Sequence, residues 1–437
     1  MASSSSSSSS LTLLRPSAES PVMPTEVSRL VTMLDRGDSI DQIFDELAVS
    51  HLFDCIEDKR WLTEHASVMG ELLNSMSRPL LRCILTGSLG PDLYDKHMFG
   101  KKNWEHVLDI NGPGAYAMFS FVRGRKGKWL CVREIKALIS LLGDYRDAIE
   151  VCDTFQQDDI YGDSQLDDVQ RAVVAEAMKI DDAARTNKQN LTPEDVAHFI
   201  PRFKSSSKGS GYISDMIKML ERRCLPGVDQ EVWQCQSPLL VGNAGNMGQR
   251  TVDHFPNNSL SKTAKLWGLM LSCFSVMGLD YEIEAVPLFR AWKDGKQVNM
   301  AEVLGTVLAG SMVSVSGLNV KQPGTRFEEA RTDTWGFENS KKHVFADKPW
   351  FKTNLRLSIL KSEHNAEAMK QLEEGRKELA RVEKEVIEVA KQVEEAKQRR
   401  DKAWEEFQKA MTEATKSADR AEEFLAQYEG DKWPGRN

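Results

Sequence analysis

The last quarter of the chain carries a seven-residue repeat of apolar side chains, and this repeat restricts the fold more than any other feature. Apolar residues fill thirteen of its sixteen a and d positions, and no proline interrupts the repeat before Pro434. A repeat of this kind predicts one helix about 80 Å long, because each helical residue adds about 1.5 Å. Position a falls on Leu372, Leu379, Val386, Val393, Arg400, Phe407, Ala414 and Ala421, and position d follows three residues after each.

The sequence leaves open what this helix packs against. Apolar residues at the e positions, such as Trp404 and Leu425, widen the stripe beyond a simple two-stranded seam. Arg400 occupies an a position, which weakens a plain dimer. The segment 361–437 holds 16 Lys and Arg against 19 Asp and Glu, so its surface is nearly neutral. Either another helix or the body of the protein could cover the stripe.

The remainder of the 437-residue chain has enough apolar content, 41% overall, to bury sizeable cores. Short amphipathic patterns with N-cap and glycine stop signals predict a mainly α-helical fold. Alternating apolar residues over 115–122, followed by a Gly-rich turn and "WLCVR", predict one short β-hairpin. We therefore expect a disordered Ser/Pro-rich arm over 1–24, helical lobes over 25–212 and 213–350, and the long helix over 351–437.

Cysteine, histidine and glycine patterns point away from catalysis. The seven cysteines and eight histidines are scattered, without the spacing of a disulfide framework or a zinc site. "VGNAGNMGQR" has a GxxGxxG spacing that fits neither a dinucleotide fold nor a P-loop, and "QQDDIYGDSQLDD" misses the EF-hand pattern. We predict a protein that is not an enzyme, with no cofactor and no metal.

Apolar runs are too short for a membrane anchor or a signal sequence. The segment Leu11–Leu14 is the only apolar stretch near the start, and "KLWGLMLSCFSVMGL" suits a buried helix better than a membrane span. We expect a cytosolic protein.

Positive charge is concentrated in three loop-like stretches, although the net charge of the chain is -8. Any single cluster could be an ordinary solvated surface, but guanidinium and ammonium groups next to glycines and aromatic rings are also typical of phosphate binding. In the first cluster Phe121 and Trp129 could stack on bases, although burial is the alternative for these rings. The candidate RNA-binding residues are Arg123, Arg125, Lys126, Lys128, Arg133 and Lys136 in the first cluster, Arg202, Lys204, Lys208, Arg222 and Arg223 in the second, and Lys341 and Lys342 in the third.

The stretches "FVRGRKGKWLCVREIKALISLLGDYRDA" and "SLSKTAKLWGLMLSCFSVMGLDYEIEAVPLFRAWKDGK" carry a resemblance, spread over about 25–350, to the coat proteins of ophioviruses, segmented negative-strand RNA viruses of plants. The resemblance implies a nucleocapsid protein that coats single-stranded RNA, assembles into a filamentous ribonucleoprotein in the virion and the host cytoplasm, and works with a viral polymerase. The long C-terminal helix does not map onto that family.

The alternative function is a cellular scaffold that assembles through its coiled coil. In that case the basic loops would serve acidic protein partners or none. RNA binding and filament formation favour the first function, whereas discrete dimers without RNA favour the second.

Overall fold

The computed structural model describes residues 14–58, 60–95, 106–158, 166–183, 199–204, 210–256, 260, 263–324 and 334–430. The chain divides into two units, one extending to Leu360 and one beginning at Lys361. The predicted mainly α-helical fold with a small β component and a long C-terminal helix is confirmed. None of the helices within these ranges combines the length and the apolarity that crossing a membrane requires.

The first unit begins with a set of short helices whose ends follow local sequence signals. Helix α1 ends at Gly37, which takes a left-handed conformation, and Ser39 forms a capping box with Gln42 at the start of α2. Ser77 caps α4, which has a proline in its first turn. These helices are α1 (Thr25–Arg36), α2 (Ile40–Val49), a 3-10 turn (His51–Cys55), α3 (Arg60–Asn74), α4 (Arg78–Thr86) and α5 (Leu89–Asp95).

A three-stranded antiparallel sheet lies at the centre of the first unit. Strand β1 (Gly114–Val122) runs between β2 (Leu240–Ala244) and β3 (Tyr281–Arg290). The predicted strand is therefore present, but the predicted hairpin partner is wrong. Residues 128–131 form no strand and lead directly into α6, while Trp129 and Leu130 exchange backbone hydrogen bonds with Gln234.

Strand β1 supplies side chains to the two larger hydrophobic cores. Its nine residues are all buried. Alternate side chains point to opposite faces of a strand, so Ala117 and Phe119 enter one core while Tyr116 and Met118 enter the other. The remaining helices of the first unit are α6 (Val132–Asp158), α7 (Asp168–Ala183), α8 (Gly211–Glu221), α9 (Met247–Val252), α10 (Lys265–Val276), α11 (Gly295–Ala309) and α12 (Thr334–Lys342).

The boundary predicted at residue 212 does not separate two compact bodies. The sheet takes β1 from the first predicted lobe and both of its neighbours from the second. Each of the two larger cores also draws residues from both sides of that boundary, and the contacts place the chain up to Leu360 in one unit.

The described part of the N-terminal arm is attached to the body, which corrects the expectation of disorder for residues 14–24. The Cys235 amide donates to the Glu19 carbonyl at 2.7 Å, and the Gln236 side chain exchanges hydrogen bonds with the backbone of Val22. Pro21 is buried. Residues 1–13, which include the serine run, lie outside the described residues.

Helix α13 (Trp350–Gly430) is the predicted long helix, and it begins close to the boundary predicted at residue 351. Its first turns are tied to the body, because the Asn354 amide donates to the carbonyls of Asn74 and Met76 at 3.0 and 2.9 Å. From Lys361 to Gln427 its side chains are almost all exposed.

Candidate nucleic-acid interface

The first basic cluster surrounds the turn that follows β1. Gly124 and Gly127 both have positive φ angles, of 80° and 79°, which glycine adopts without steric cost. Gly127 also lies against the backbone of Gly90, where a Cβ atom would come within 2.2 Å of the carbonyl oxygen. The glycines are therefore explained by the shape and packing of the turn, without a ligand.

Most cations of this turn already have carboxylate partners. Lys126 is exposed, and the ammonium group of Lys136 donates to the side-chain oxygen of Gln230 at 3.2 Å. The carboxylate partners of the other four cations offset the positive charge that the sequence concentrates here. The ion pairs join Arg123 to Glu282 at 2.8 Å, Arg125 to Glu134 at 2.7 Å, Lys128 to Glu19 at 3.1 Å and Arg133 to Glu231 at 2.7 Å.

The aromatic rings that flank the turn are core residues. Phe121 lies in the core that contains Phe119, and Trp129 packs against Phe274 with ring centroids 6.3 Å apart. Both side chains are buried. The hypothesis that they stack on bases is wrong, and burial, the alternative considered from the sequence, is what the structure shows.

The strand beside this turn contains a carboxyl group with a raised pKa. Burial, and secondarily the charge of Glu282, raise the pKa of Glu284 to about 7. In the unfolded chain the same group ionises near 4.5. The folded protein therefore holds a proton that the unfolded chain releases, and this contribution to stability falls as the pH rises from about 4.5 to about 7.

Replacing Glu284 by glutamine should stabilise the protein at pH 8 and have little effect at pH 4.5. Because the side chain is partly exposed, we expect a gain in melting temperature on the order of 2–4 °C at pH 8. Thermal unfolding of the two proteins across this pH range measures the effect. An equal change in melting temperature at both pH values would contradict the raised pKa.

The second basic cluster is dispersed over the structure. Lys204 forms an ion pair with Asp153, and the Arg202 guanidinium lies 5.3 Å from the centre of the Phe203 ring. The guanidinium of Arg222 donates to the carbonyls of Ser314 and Val315. Lys208 lies outside the described residues. These side chains hold neighbouring segments together instead of lining a common groove.

Arg223 is a core residue and not a surface cation. Its guanidinium donates to the carbonyls of Gln236 and Ser316, both at 2.7 Å, and lies 5.5 Å from the centre of the Trp129 ring. Burial, followed by the charge of Arg222, lowers its pKa to about 9. RNA phosphates could reach Arg223 only if this part of the core opened.

Replacing Arg223 by alanine should therefore destabilise the fold. The change removes the donor to the buried carbonyl of Gln236 and to the half-buried carbonyl of Ser316, and it opens a cavity. Together these losses should lower the free energy of unfolding by about 2–4 kcal/mol. Chemical denaturation measures the loss. A variant with unchanged stability and weaker RNA binding would instead support the surface role that the sequence suggested.

The third cluster differs from the other two, because four of its five cations are exposed and the fifth, Lys348, is half-buried. From Trp335 to Ser358 the chain holds five basic residues and two acids, Glu338 and Asp347, and Asp347 pairs with His343 at 3.3 Å. Within the described ranges, none of the five forms an ion pair with a carboxylate. We call them the 341–356 basic surface: Lys341, Lys342, Lys348, Lys352 and Arg356.

Two elements present this surface in a fixed position. Lys341 and Lys342 end α12, whereas Lys352 and Arg356 lie one turn apart on the exposed side of α13. The connection between the helices is held by aromatic packing, with the rings of Phe345 and Phe351 4.6 Å apart and both against Trp292.

Aromatic rings accompany the cations at this surface. Trp335 is 73% exposed and lies two helical turns before Lys342 on the same face of α12. The ammonium group of Lys348 lies 5.1 Å from the centre of the Trp350 ring. Exposed rings beside unpaired cations are the combination that single-stranded nucleic acids contact.

The start of α13 also carries positive charge that no acid of its first turn offsets. The amino end of a helix carries partial positive charge and favours anions. Here the first turn holds no acid, while Lys352 and Arg356 add further positive charge. A bound phosphate would relieve this repulsion.

The candidates named from the sequence include Lys341 and Lys342 but not Lys352 and Arg356, which fall at the start of the long helix predicted over 351–437. A count of charges over a short segment indicates these two residues, because 348–362 contains four basic residues and no acid.

Two other buried titratable groups, His254 and Tyr145, have structural partners. His254 contacts the Tyr116 hydroxyl at 3.0 Å and the Thr263 hydroxyl at 2.7 Å, and burial, then the charge of Arg250, lower its pKa to about 4. Tyr145 donates to the buried carboxylate of Asp181 at 2.7 Å. The described part of the chain contains no cluster of three or more metal-ligating side chains.

No protein-family model matches the chain, and no curated protein or solved structure shows significant similarity to it.

Proposed function

We propose that the protein binds single-stranded RNA without reading its sequence and coats it, as a nucleocapsid protein does. The observation that carries this proposal is the 341–356 basic surface. Four of its five cations are exposed, and none forms an ion pair within the described ranges, whereas the cations of the first basic cluster are mostly neutralised. The proposed binding site is therefore the junction of α12 and α13, and not the turn at 123–136.

Binding at this surface would be electrostatic, with stacking as a second contribution. Lysine is a point charge that binds a phosphate in any orientation, and Arg356 can donate two hydrogen bonds to one phosphate. Trp335 can stack on any base, because every base has a π face. Neither interaction distinguishes one base from another, which is what a coat protein requires.

Within this proposal the protein is part of a filamentous ribonucleoprotein of a negative-strand RNA virus, in the virion and in the host cytoplasm, where a viral polymerase is its second partner. Coating requires contacts that repeat from one copy to the next. The exposed apolar stripe of α13 is one surface available for such contacts.

A second candidate function, a coiled-coil scaffold, is favoured by the same stripe. Val386, Val393 and Phe407 are each at least half exposed. A scaffold needs this helix to associate but does not need the 341–356 basic surface to bind an anion.

Nuclease protection separates the two functions. The purified protein is incubated with a long single-stranded RNA of random sequence at low salt and then treated with ribonuclease. A coat protein should yield protected fragments of regular length and a filament or ring in micrographs. Complete digestion of the RNA, with discrete protein dimers, would overturn the proposal and leave the scaffold function.

A further inference from the structure

The exposed stripe of α13 needs a partner, and the charges beside it indicate which one. Leu379, Val386, Val389 and Val393 are between 50% and 60% exposed in the single chain. An apolar stripe of this length is normally covered, because removing apolar surface from water is favourable. From these charges we infer that α13 pairs with α13 of a second copy in the antiparallel direction, with the twofold axis close to Asp401 and Lys402.

A parallel pair in register places like charges together. Arg400, at position a, would face Arg400 of the second copy across the seam. Glu378, at position g, would face Glu383, at position e, of the second copy. No g-to-e pair of this arrangement joins opposite charges, so the charges oppose it.

An antiparallel pair places opposite charges together instead of like charges. In an antiparallel pair the g residues of one helix face the g residues of the other. Because helical side chains lean toward the amino end of their own helix, the two facing g side chains approach each other. With the axis near Asp401, Glu385 faces Arg420 and Arg399 faces Glu406. Each pair occurs twice in the symmetric dimer, and no flanking pair joins like charges. The other antiparallel heptad registers either give fewer opposite-charge pairs or bring like charges together.

The seam fits the same register. In the layers between Val382 and Ala421, large side chains of one copy lie opposite small ones of the other, so the two helices can approach closely there. In the next layer outward, Leu379 lies opposite Phe424. Arg400 lies opposite a small residue instead of its own copy and keeps its ion pair with Asp401, at 2.6 Å in the single chain. The layers pair Val382 with Ala421, Val386 with Ser417, Val389 with Ala414, Val393 with Ala410, Ala396 with Phe407, and Arg400 with Ala403.

The pairing goes beyond RNA binding and does not depend on it. With this axis, Gly430 at the carboxyl end of one helix lies opposite Glu373 of the other, so the first turns of each α13 extend beyond the paired segment. Copies joined in this way form a twofold-symmetric unit, so a longer polymer would need a further contact.

Disulfide trapping in the full-length chain tests the orientation. Val386→Cys and Ser417→Cys are made in separate, differently tagged chains, mixed and oxidised, and the linked peptides are identified by mass spectrometry. Antiparallel pairing predicts a disulfide between the two variants in the mixture and none within either variant alone. The matched control mixes Lys384→Cys with Asp419→Cys, which hold the corresponding positions on the outward face.

Other outcomes overturn the inference. A Val386→Cys chain that links to itself would show a parallel pair. Absence of a link in the mixture, or equal linking by the outward control, would show that the stripe is covered by something else.

Charge reversal gives a second readout that does not require oxidation. Glu385→Arg or Arg420→Glu alone should weaken self-association about tenfold, because two attractive pairs become repulsive in each dimer. The double variant should return to within about threefold of the original, as measured by sedimentation equilibrium. Two single effects that simply add would contradict the pairing of these residues.

Discussion

Replacing Lys341, Lys342, Lys352 and Arg356 by alanine should weaken binding to single-stranded RNA by about a hundredfold or more at 0.1 M salt. Each cation that neutralises a phosphate releases about 0.7 counterion from a single strand, so removing four such cations removes most of the electrostatic free energy of binding. The side chains are exposed and form no ion pair with a described carboxylate, so the melting temperature should change little. Fluorescence anisotropy with a labelled RNA of mixed sequence measures the affinity.

The control for this variant removes the same number of positive charges from the first basic cluster. Arg123, Lys126, Arg133 and Lys136 are exposed, but two of them already pair with carboxylates. Their replacement by alanine should change the affinity less than about threefold. If this control loses affinity and the first variant keeps it, RNA binds at the turn that the sequence suggested and not at the 341–356 basic surface.

Replacing Val386, Val389 and Val393 by aspartate should weaken self-association through α13 by at least about a thousandfold. Six apolar side chains of a dimer would become charged, and each buried valine contributes about 1.5 kcal/mol or more to association. The first unit contains none of these residues, so its thermal unfolding should be unchanged. Sedimentation equilibrium of the full-length chain measures the association constant.

Three aspartates on the outward face provide the matched control. Gln398, Thr412 and Ala426 all occupy position f, and their replacement adds the same charge without touching the seam. This variant should associate as the original does. Equal loss of association in both variants would show that net charge, and not the apolar stripe, controls assembly.

Local patterns explain why the helices and β1 could be predicted from the sequence. The seven-residue repeat indicates α13, and Ser39 and Gly37 mark helix ends through hydrogen bonds only a few residues away. Alternation over 115–122 indicates β1 for the same reason. The partners of β1 could not be predicted, because β2 begins at Leu240 and no local signal encodes a pairing across that distance.

The site shows the same limit of sequence reasoning. A basic residue is visible in the sequence, but its carboxylate partner is not: Lys128 pairs with Glu19, 109 residues away, and Arg133 pairs with Glu231, 98 residues away. Burial hides other residues, as with Arg223 and Trp129. Counting charges along the sequence therefore overestimates the free positive charge of the first basic cluster. The same count underestimates the free positive charge at the start of α13, where the unpaired cations lie.

The salt dependence of RNA binding tests the central claim most directly. The dissociation constant of the unmodified chain for a short single-stranded RNA is measured between about 50 and 300 mM salt, together with that of the alanine variant at Lys341, Lys342, Lys352 and Arg356. The proposal predicts a steep negative slope of log affinity against log salt, made shallower in the variant by about 0.7 for each phosphate that it no longer neutralises. Absence of binding at the lowest salt, or identical slopes for the two proteins, would contradict it.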